Sequence, residues 1–169
     1  NITFTCSAFD IGSFAFIEEN ISPPFHKIPS PLTVNHDLLR SVASFNKPMF
    51  ISTGMATYEE ITQMIDTIIP INDRIVLLQC TSLYPTENNE VNLRVLDSFQ
   101  RDFDVLVGFS SHDRSVVLPS VAMGLGACVF EKHITLDRSM KGPDHSSSFE
   151  RRGLELCYGY LLDTHEAMG

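Results

Sequence analysis

Short apolar runs alternate with longer amphipathic stretches along the whole chain, and this alternation restricts the fold more than any other feature. The runs are residues 2–6, 25–28, 49–52, 75–79, 105–107 and 128–131. They are apolar and seldom alternate with polar residues, as expected of strands covered on both faces. The stretches between them carry helical periodicity. Residues 35–45 place Leu38, Leu39, Val42 and Phe45 on one face. Residues 58–69 do the same with Ile61, Met64, Ile65 and Ile68, and residues 92–103 with Leu93, Leu96, Phe99 and Phe103. Spacings of three and four bring such residues to one side of a helix. Residues 115–125 and 150–165 complete the set. Thr57 stands three residues before Glu60, the arrangement of a capping box, and Gly126 after Leu125 reads as a helix stop.

Repeated strand-then-helix units imply parallel strands joined by helical crossovers. A doubly wound sheet and a (β/α)8 barrel both satisfy that pattern. The glycine-rich fingerprint of a dinucleotide fold does not follow the first run. Polar residues instead close nearly every run: Ser7, Lys27 with Ser30, Ser52, Ser82 with Tyr84, Ser110 with His112, and Glu131 with His133. A barrel mouth is built this way, each strand giving one or two groups. The expected fold is therefore α/β, a partial (β/α)8 TIM barrel of about six units, two short of eight.

The chain has 169 residues, the size of one domain, and 43% of them are hydrophobic, enough for a core. A formal net charge of −9 argues against nucleic acid as a partner, because no basic stripe is available to displace counterions. It leaves room for a small anion held by one or two lysines and backbone N–H groups. The apolar stretch 116–130 is interrupted by Pro119, Gly124 and Gly126, so no membrane span is expected and a cytoplasmic location is. The four cysteines, Cys6, Cys80, Cys128 and Cys157, form no C-x-x-C pair and are expected to be buried free thiols. The chain starts at Asn1 rather than Met and stops at Gly169 after a helix, so both ends look cut.

Two histidines carry the sharpest chemical suggestion. In Gly108-Phe109-Ser110-Ser111-His112-Asp113, period-two alternation puts Ser110 and His112 on one side. In Phe130-Glu131-Lys132-His133 it puts Glu131 and His133 on one side and Lys132 on the other. Histidines at the ends of neighbouring strands can share a divalent metal and leave positions open for substrate. The competing reading is two rim histidines bonded to backbone. His26, His36 and His165 have no such partners and are expected at the surface, and His145 is open. Lys27 suits a phosphate or carboxylate, or else snorkels to the rim. Ser52-Thr53-Gly54-Met55 turns through glycine into a helix start, an anion-binding arrangement that many turns share. Tyr84 offers a ring face and hydroxyl to a polyol, and Asp144, in Gly142-Pro143-Asp144-His145, offers acceptors for sugar hydroxyls or simply makes a turn.

The runs Lys-Ile-Pro-Ser, Ser-Thr-Gly-Met, Gln-Cys-Thr-Ser-Leu-Tyr-Pro, Val-Asn-Leu-Arg-Val, Gly-Phe-Ser-Ser-His, Glu-Lys-His-Ile-Thr-Leu-Asp and Lys-Gly-Pro-Asp-His-Ser-Ser-Ser stand here in one order. In that order they resemble the sialic acid synthase (N-acetylneuraminate synthase) family over nearly the whole chain. The resemblance implies a barrel with a small C-terminal antifreeze-like domain, acting as a homodimer. It implies condensation of phosphoenolpyruvate with N-acetylmannosamine, its 6-phosphate or a related amino sugar. The products are a nonulosonic acid and phosphate, released by C–O cleavage. By matching position, His112 and His133 would bind a divalent metal, Mn2+ or Mg2+. Lys27, Ser30, Ser52, Ser82 and Ser110 would bind phosphoenolpyruvate, with Ser7 in a Ser-Ala-Phe-Asp run doing similar work. Tyr84 and Asp144 would contact sugar, and Glu131 would be an inward catalytic acid.

The match departs at three places. Many relatives carry an acidic residue where this chain has Leu32. Bacterial members usually have Asp where Ser111 stands and animal-type members have Gly; together with Glu-Lys-His-Ile-Thr-Leu-Asp this leans toward the animal-type branch. The first two barrel units and the antifreeze-like domain are absent, so residues 1–169 are expected to be an incomplete barrel domain, inactive or nearly so alone. Two other readings compete: a different metal-dependent barrel aldolase, and a non-catalytic homologue that binds sugar or a partner subunit.

Overall fold

A computed structural model describes residues 2–169. Five parallel strands form one sheet in sequence order: β1 (His26–Ile28), β2 (Met49–Ser52), β3 (Ile75–Cys80), β4 (Leu106–Ser111) and β5 (Val129–Lys132). Helices α1 (Ile11–Asn20), α2 (His36–Ala43), α3 (Tyr58–Ile68), α4 (Val95–Phe103), α5 (Leu118–Gly124) and α6 (Arg151–Met168) accompany them. Strand-then-helix order with sequential parallel neighbours is the winding of a (β/α) barrel, and the sheet is the arc of one.

Alternation along the strands divides the chemistry between two faces. Ile28, Met49, Ile51, Ile75, Leu77, Val107 and Phe109 are fully or almost fully buried in the core. They pack with Leu38, Leu39 and Val42 of α2, Ile61, Met64, Ile65 and Ile68 of α3, and Leu96 and Phe99 of α4. Each such side chain contributes about 1.5–3 kcal/mol relative to exposure. The intervening residues (Lys27, Ser52, Cys80, Ser110 and Glu131) face a cavity on the other side. The capping box forms as read: Thr57 Oγ1 accepts from Glu60 N, and the Glu60 carboxylate accepts from Thr57 N at 2.7 Å.

Three expectations are corrected, and one element is added. Residues 2–6 lie in no strand, so there are five strands, not six. Ile2 and Phe4 are exposed, and Thr5 Oγ1 donates to Phe25 O at 3.1 Å across what would be the next strand gap. A strand at the sheet edge needs a ladder partner, and there the apolar run did not supply one. Second, α1 has no clear signal in the sequence, because its apolar residues crowd too closely for a clean helical period; Asp10 caps it by accepting from Ser13 N. Third, His26 is fully buried, between Phe14 and Phe45, with Nε2 3.1 Å from Glu18 Oε2. Fourth, Cys80 and Cys157 are buried but Cys6 and Cys128 are exposed.

β4 also runs further than its apolar residues suggest, through Gly108 to Ser111. Hydrogen bonding to β3 and β5 on both sides carries it past weak strand formers. Gly108 is required there: a Cβ would fall 2.6 Å from Val129 O and 2.5 Å from Leu78 Cδ2. Among the described residues, no helix is long and apolar enough to cross a membrane.

Candidate active site

The C-terminal strand ends open into a cavity of about 530 Å³. At its centre Lys27, Ser52 and Glu131 come together from β1, β2 and β5. Lys27 Nζ donates to Ser52 Oγ at 2.9 Å and to the carbonyl of Ile28 at 3.0 Å, and stands 3.4 Å from Glu131 Oε1. Ser52 Oγ donates to Glu131 Oε2 at 3.1 Å. Burial pushes the Lys27 ammonium below its usual range, and the Glu131 carboxylate works against that. A lysine so placed gains from any anion that enters the cavity.

His112 and His133 stand side by side at the ends of β4 and β5, with ring centroids 5.3 Å apart. His112 Nδ1 lies 3.0 Å from the carbonyl of Thr81. A carbonyl only accepts, so Nδ1 carries the proton and Nε2 keeps its lone pair. Burial lowers the proton affinity of both rings, and for His133 the neighbouring His112 adds to that. Two neutral imidazoles, one with its tautomer fixed by a backbone acceptor, suit a divalent metal. Among the described residues, no set of three His, Cys, Asp or Glu side chains gathers at ligand distance. His112 and His133 would offer a cation one ring nitrogen donor from each strand end. The ring of Tyr84 lies 4.1 Å from that of His112 and 5.8 Å from that of His133, walling the pair on one side.

A second cluster adjoins the lysine. Gly54 N donates to Ser30 Oγ at 3.0 Å, and Ser30 Oγ lies 3.7 Å from Cys80 Sγ. A Cβ on Gly54 would fall 2.1 Å from Ser82 Oγ and 3.0 Å from both Ser30 Oγ and Cys80 Sγ. The glycine thus lets three polar side chains converge on one spot.

Ser7, Lys27, Ser30, Ser52, Ser82, Tyr84, Ser110, His112, Glu131 and His133 all line this one cavity. Ser7 reaches it from the exposed segment before α1. Asp144 does not line it, although its charge is felt at His112, His133 and Tyr84. Leu32 is buried in the core and offers the site nothing polar. The sequence marks Gly54 as a turn into a helix start and does not mark Cys80 as a residue of the site. Counting back by two from Ser82 and Tyr84 would have placed Cys80 on the same side. No local pattern marks Gly54 as a close approach.

Comparison with known proteins adds the following. The sequence profile of the NeuB family matches residues 1–169. An N,N'-diacetyllegionaminic acid synthase of Campylobacter jejuni is 38% identical over the full chain, which covers 51% of that protein. The human N-acetylneuraminate-9-phosphate synthase is 40% identical over 88% of the chain and 42% of its own length. A solved N-acetylneuraminic acid synthetase from Leptospira borgpetersenii, in complex with citrate, superposes with a TM-score of 0.93 at 27% identity, covering 100% of this chain and 59% of that one. The chain spans about half the length of the curated relatives it matches.

Proposed function

The chain belongs to the NeuB family, and we propose that it supplies much of the active site of a synthase that joins phosphoenolpyruvate to an N-acetylated amino sugar. The observation that carries this reading is the convergence of Lys27, Ser52 and Glu131 with His112 and His133 in one cavity. Relatives named for neuraminic, legionaminic and pseudaminic acid products support a nonulosonic acid as the product class. N-Acetylmannosamine, its 6-phosphate or a related amino sugar is the proposed acceptor, and a homodimer the proposed assembly of the whole enzyme.

Lys27 and the hydroxyls of Ser30, Ser52, Ser82 and Ser110 hold the phosphate and carboxylate of phosphoenolpyruvate. The Gly54 turn lets those hydroxyls close in on the anion. Charge-assisted hydrogen bonds of this kind orient the enol carbon for attack on the sugar aldehyde. His112 and His133 would hold a divalent cation, Mn2+ or Mg2+, and when bound it would supply Lewis-acid polarisation of that aldehyde. Tyr84 and the rim residue Asp144 orient the sugar. Water then adds to C2 of the former enol, Glu131 accepts its proton and returns it to the alkoxide left at the former aldehyde carbon, and Lys27 beside the carboxylate balances charge. Phosphate departs by C–O cleavage, its charge held by the same lysine and hydroxyls. The isolated chain is expected to bind its ligands but scarcely turn over.

Calorimetry with Mn2+ and phosphoenolpyruvate tests the reading on the chain itself. The expected result is binding of both, with Mn2+ lost in His112→Ala and phosphoenolpyruvate lost in Lys27→Ala. In protein carrying a whole barrel, phosphate should be released only when the amino sugar is present. Release without sugar would favour another barrel enzyme, and sugar binding indifferent to metal would favour a binding module.

A further inference from the structure

The outward face of the same two strand ends carries a second, buried network. The paired register of β4 and β5 ends at Ser111 and Lys132, one residue short of each histidine. Beyond that point a side chain takes over from the ladder. Lys132 Nζ donates to Ser111 Oγ at 3.0 Å and to the main-chain carbonyl of Asp113. Ser111 Oγ in turn donates to Asp113 Oδ2 at 2.7 Å, and Asp113 Oδ1 accepts from Ser115 N at 2.7 Å. Ser111 and Asp113 are 2% and 0% exposed, so water does not compete for these bonds. Phe149 closes the far side. Its ring centroid lies 4.4 Å from Lys132 Nζ, and its N–H donates to the carbonyl of His133 at 2.8 Å. The residues on both sides of His112 are therefore tied to the residue before His133, and His133 is itself held through Phe149.

We infer that Lys132 is a positioning residue that sets the spacing of the His112 and His133 rings from behind the sheet. The inference rests on the proposed use of those rings as metal ligands, although the clamp itself is geometric. Strand ends free to splay would let the two imidazoles part, and two donors that must meet one ion tolerate little of that. Lys132 is itself among the residues lining the cavity, but its ammonium is engaged by Ser111 and the Asp113 carbonyl. It acts through the backbone on each side of His112 and through its own peptide link to His133.

The test uses the 169-residue chain labelled with 15N-histidine, in parental, Lys132→Met and Lys132→Arg forms. In metal-free protein the ring 1H–15N signals of His112 and His133 should move in Lys132→Met and return in Lys132→Arg, while those of His36 and His165 stay in place. The Mn2+ dissociation constant should weaken about 10–100-fold in Lys132→Met and largely recover in Lys132→Arg. Unmoved rings, or unchanged Mn2+ affinity in a protein that binds Mn2+, overturn the inference. If Lys132→Met does not fold, Ser111→Ala removes one link of the clamp, and rings unmoved in that variant overturn it equally. If the parent protein binds no Mn2+, the proposed function fails, and the ring signals still decide the clamp.

Discussion

His112 and His133 each stand one residue beyond the last ladder pair of their strands, Ser111 with Lys132. Equal strand lengths past the last bond bring the rings to 5.3 Å. Spacing along the sequence does not contain that relation; the β4–β5 register does. A one-residue slip would turn one histidine from the cavity to the helix layer.

Lys27→Met keeps most of the buried stem and removes the ammonium that meets Ser52 and Glu131. A hydrogen bond to a charged group is worth about 1.5–3 kcal/mol, so phosphoenolpyruvate affinity should fall about 10–100-fold. Calorimetry should show Mn2+ binding changed far less, because Lys27 donates to neither imidazole. Equal losses for both ligands would contradict the division of labour proposed here.

Gly54→Ala should weaken phosphoenolpyruvate binding about tenfold through displaced hydroxyls. The new methyl meets Ser82 Oγ, Ser30 Oγ and Cys80 Sγ before it meets backbone. The side chains must swing aside, so the cost falls on the anion pocket more than on folding. Titration calorimetry beside a urea melt separates the two, and a variant with full affinity would remove the serine cluster from the site.

Gly108→Ala tests packing instead. Its Cβ would face Val129 O, a backbone atom of the neighbouring strand that cannot rotate away. Overpacking of this kind costs about 1–3 kcal/mol. A urea midpoint equal to that of the parent would mean that β4 and β5 part more readily than their ladder suggests.

Acid should weaken the fold through His26. Burial holds its proton affinity below the ordinary value, with Glu18 pulling the other way and Lys47 adding to the burial effect. The unfolded chain therefore takes up this proton first as pH falls. Stability is complete above about pH 6.5 and declines below it until the folded imidazole also titrates. One such group contributes a slope of at most about 1.4 kcal/mol per pH unit. His26→Leu, between Phe14 and Phe45, should flatten the melting temperature between pH 7 and 5. The same acid slope in both proteins would assign it elsewhere.

Much of this was legible before any coordinates. Amphipathic spacing located α2, α3 and α4 because one helix face must be apolar to be buried. Strand-end polarity located the mouth, since side chains there line the cavity that the interior strand faces enclose. Residues 2–6 misled, because an apolar run becomes a strand only where a partner edge supplies hydrogen bonds. His26 misled for a related reason: no neighbour in the sequence announces that Glu18 and Lys47 will come to it through the fold.

The amino-acid sequence by itself determined the kind of elements, their order and which side of each strand faces the mouth, because periodicity and alternation are local properties of a chain. The tertiary structure alone decided which of those inward groups meet: Lys27 with Glu131, His112 with His133, and Lys132 with Ser111 behind them. Such meetings depend on strand register and sheet curvature, which arise only when distant segments pack and hydrogen-bond together.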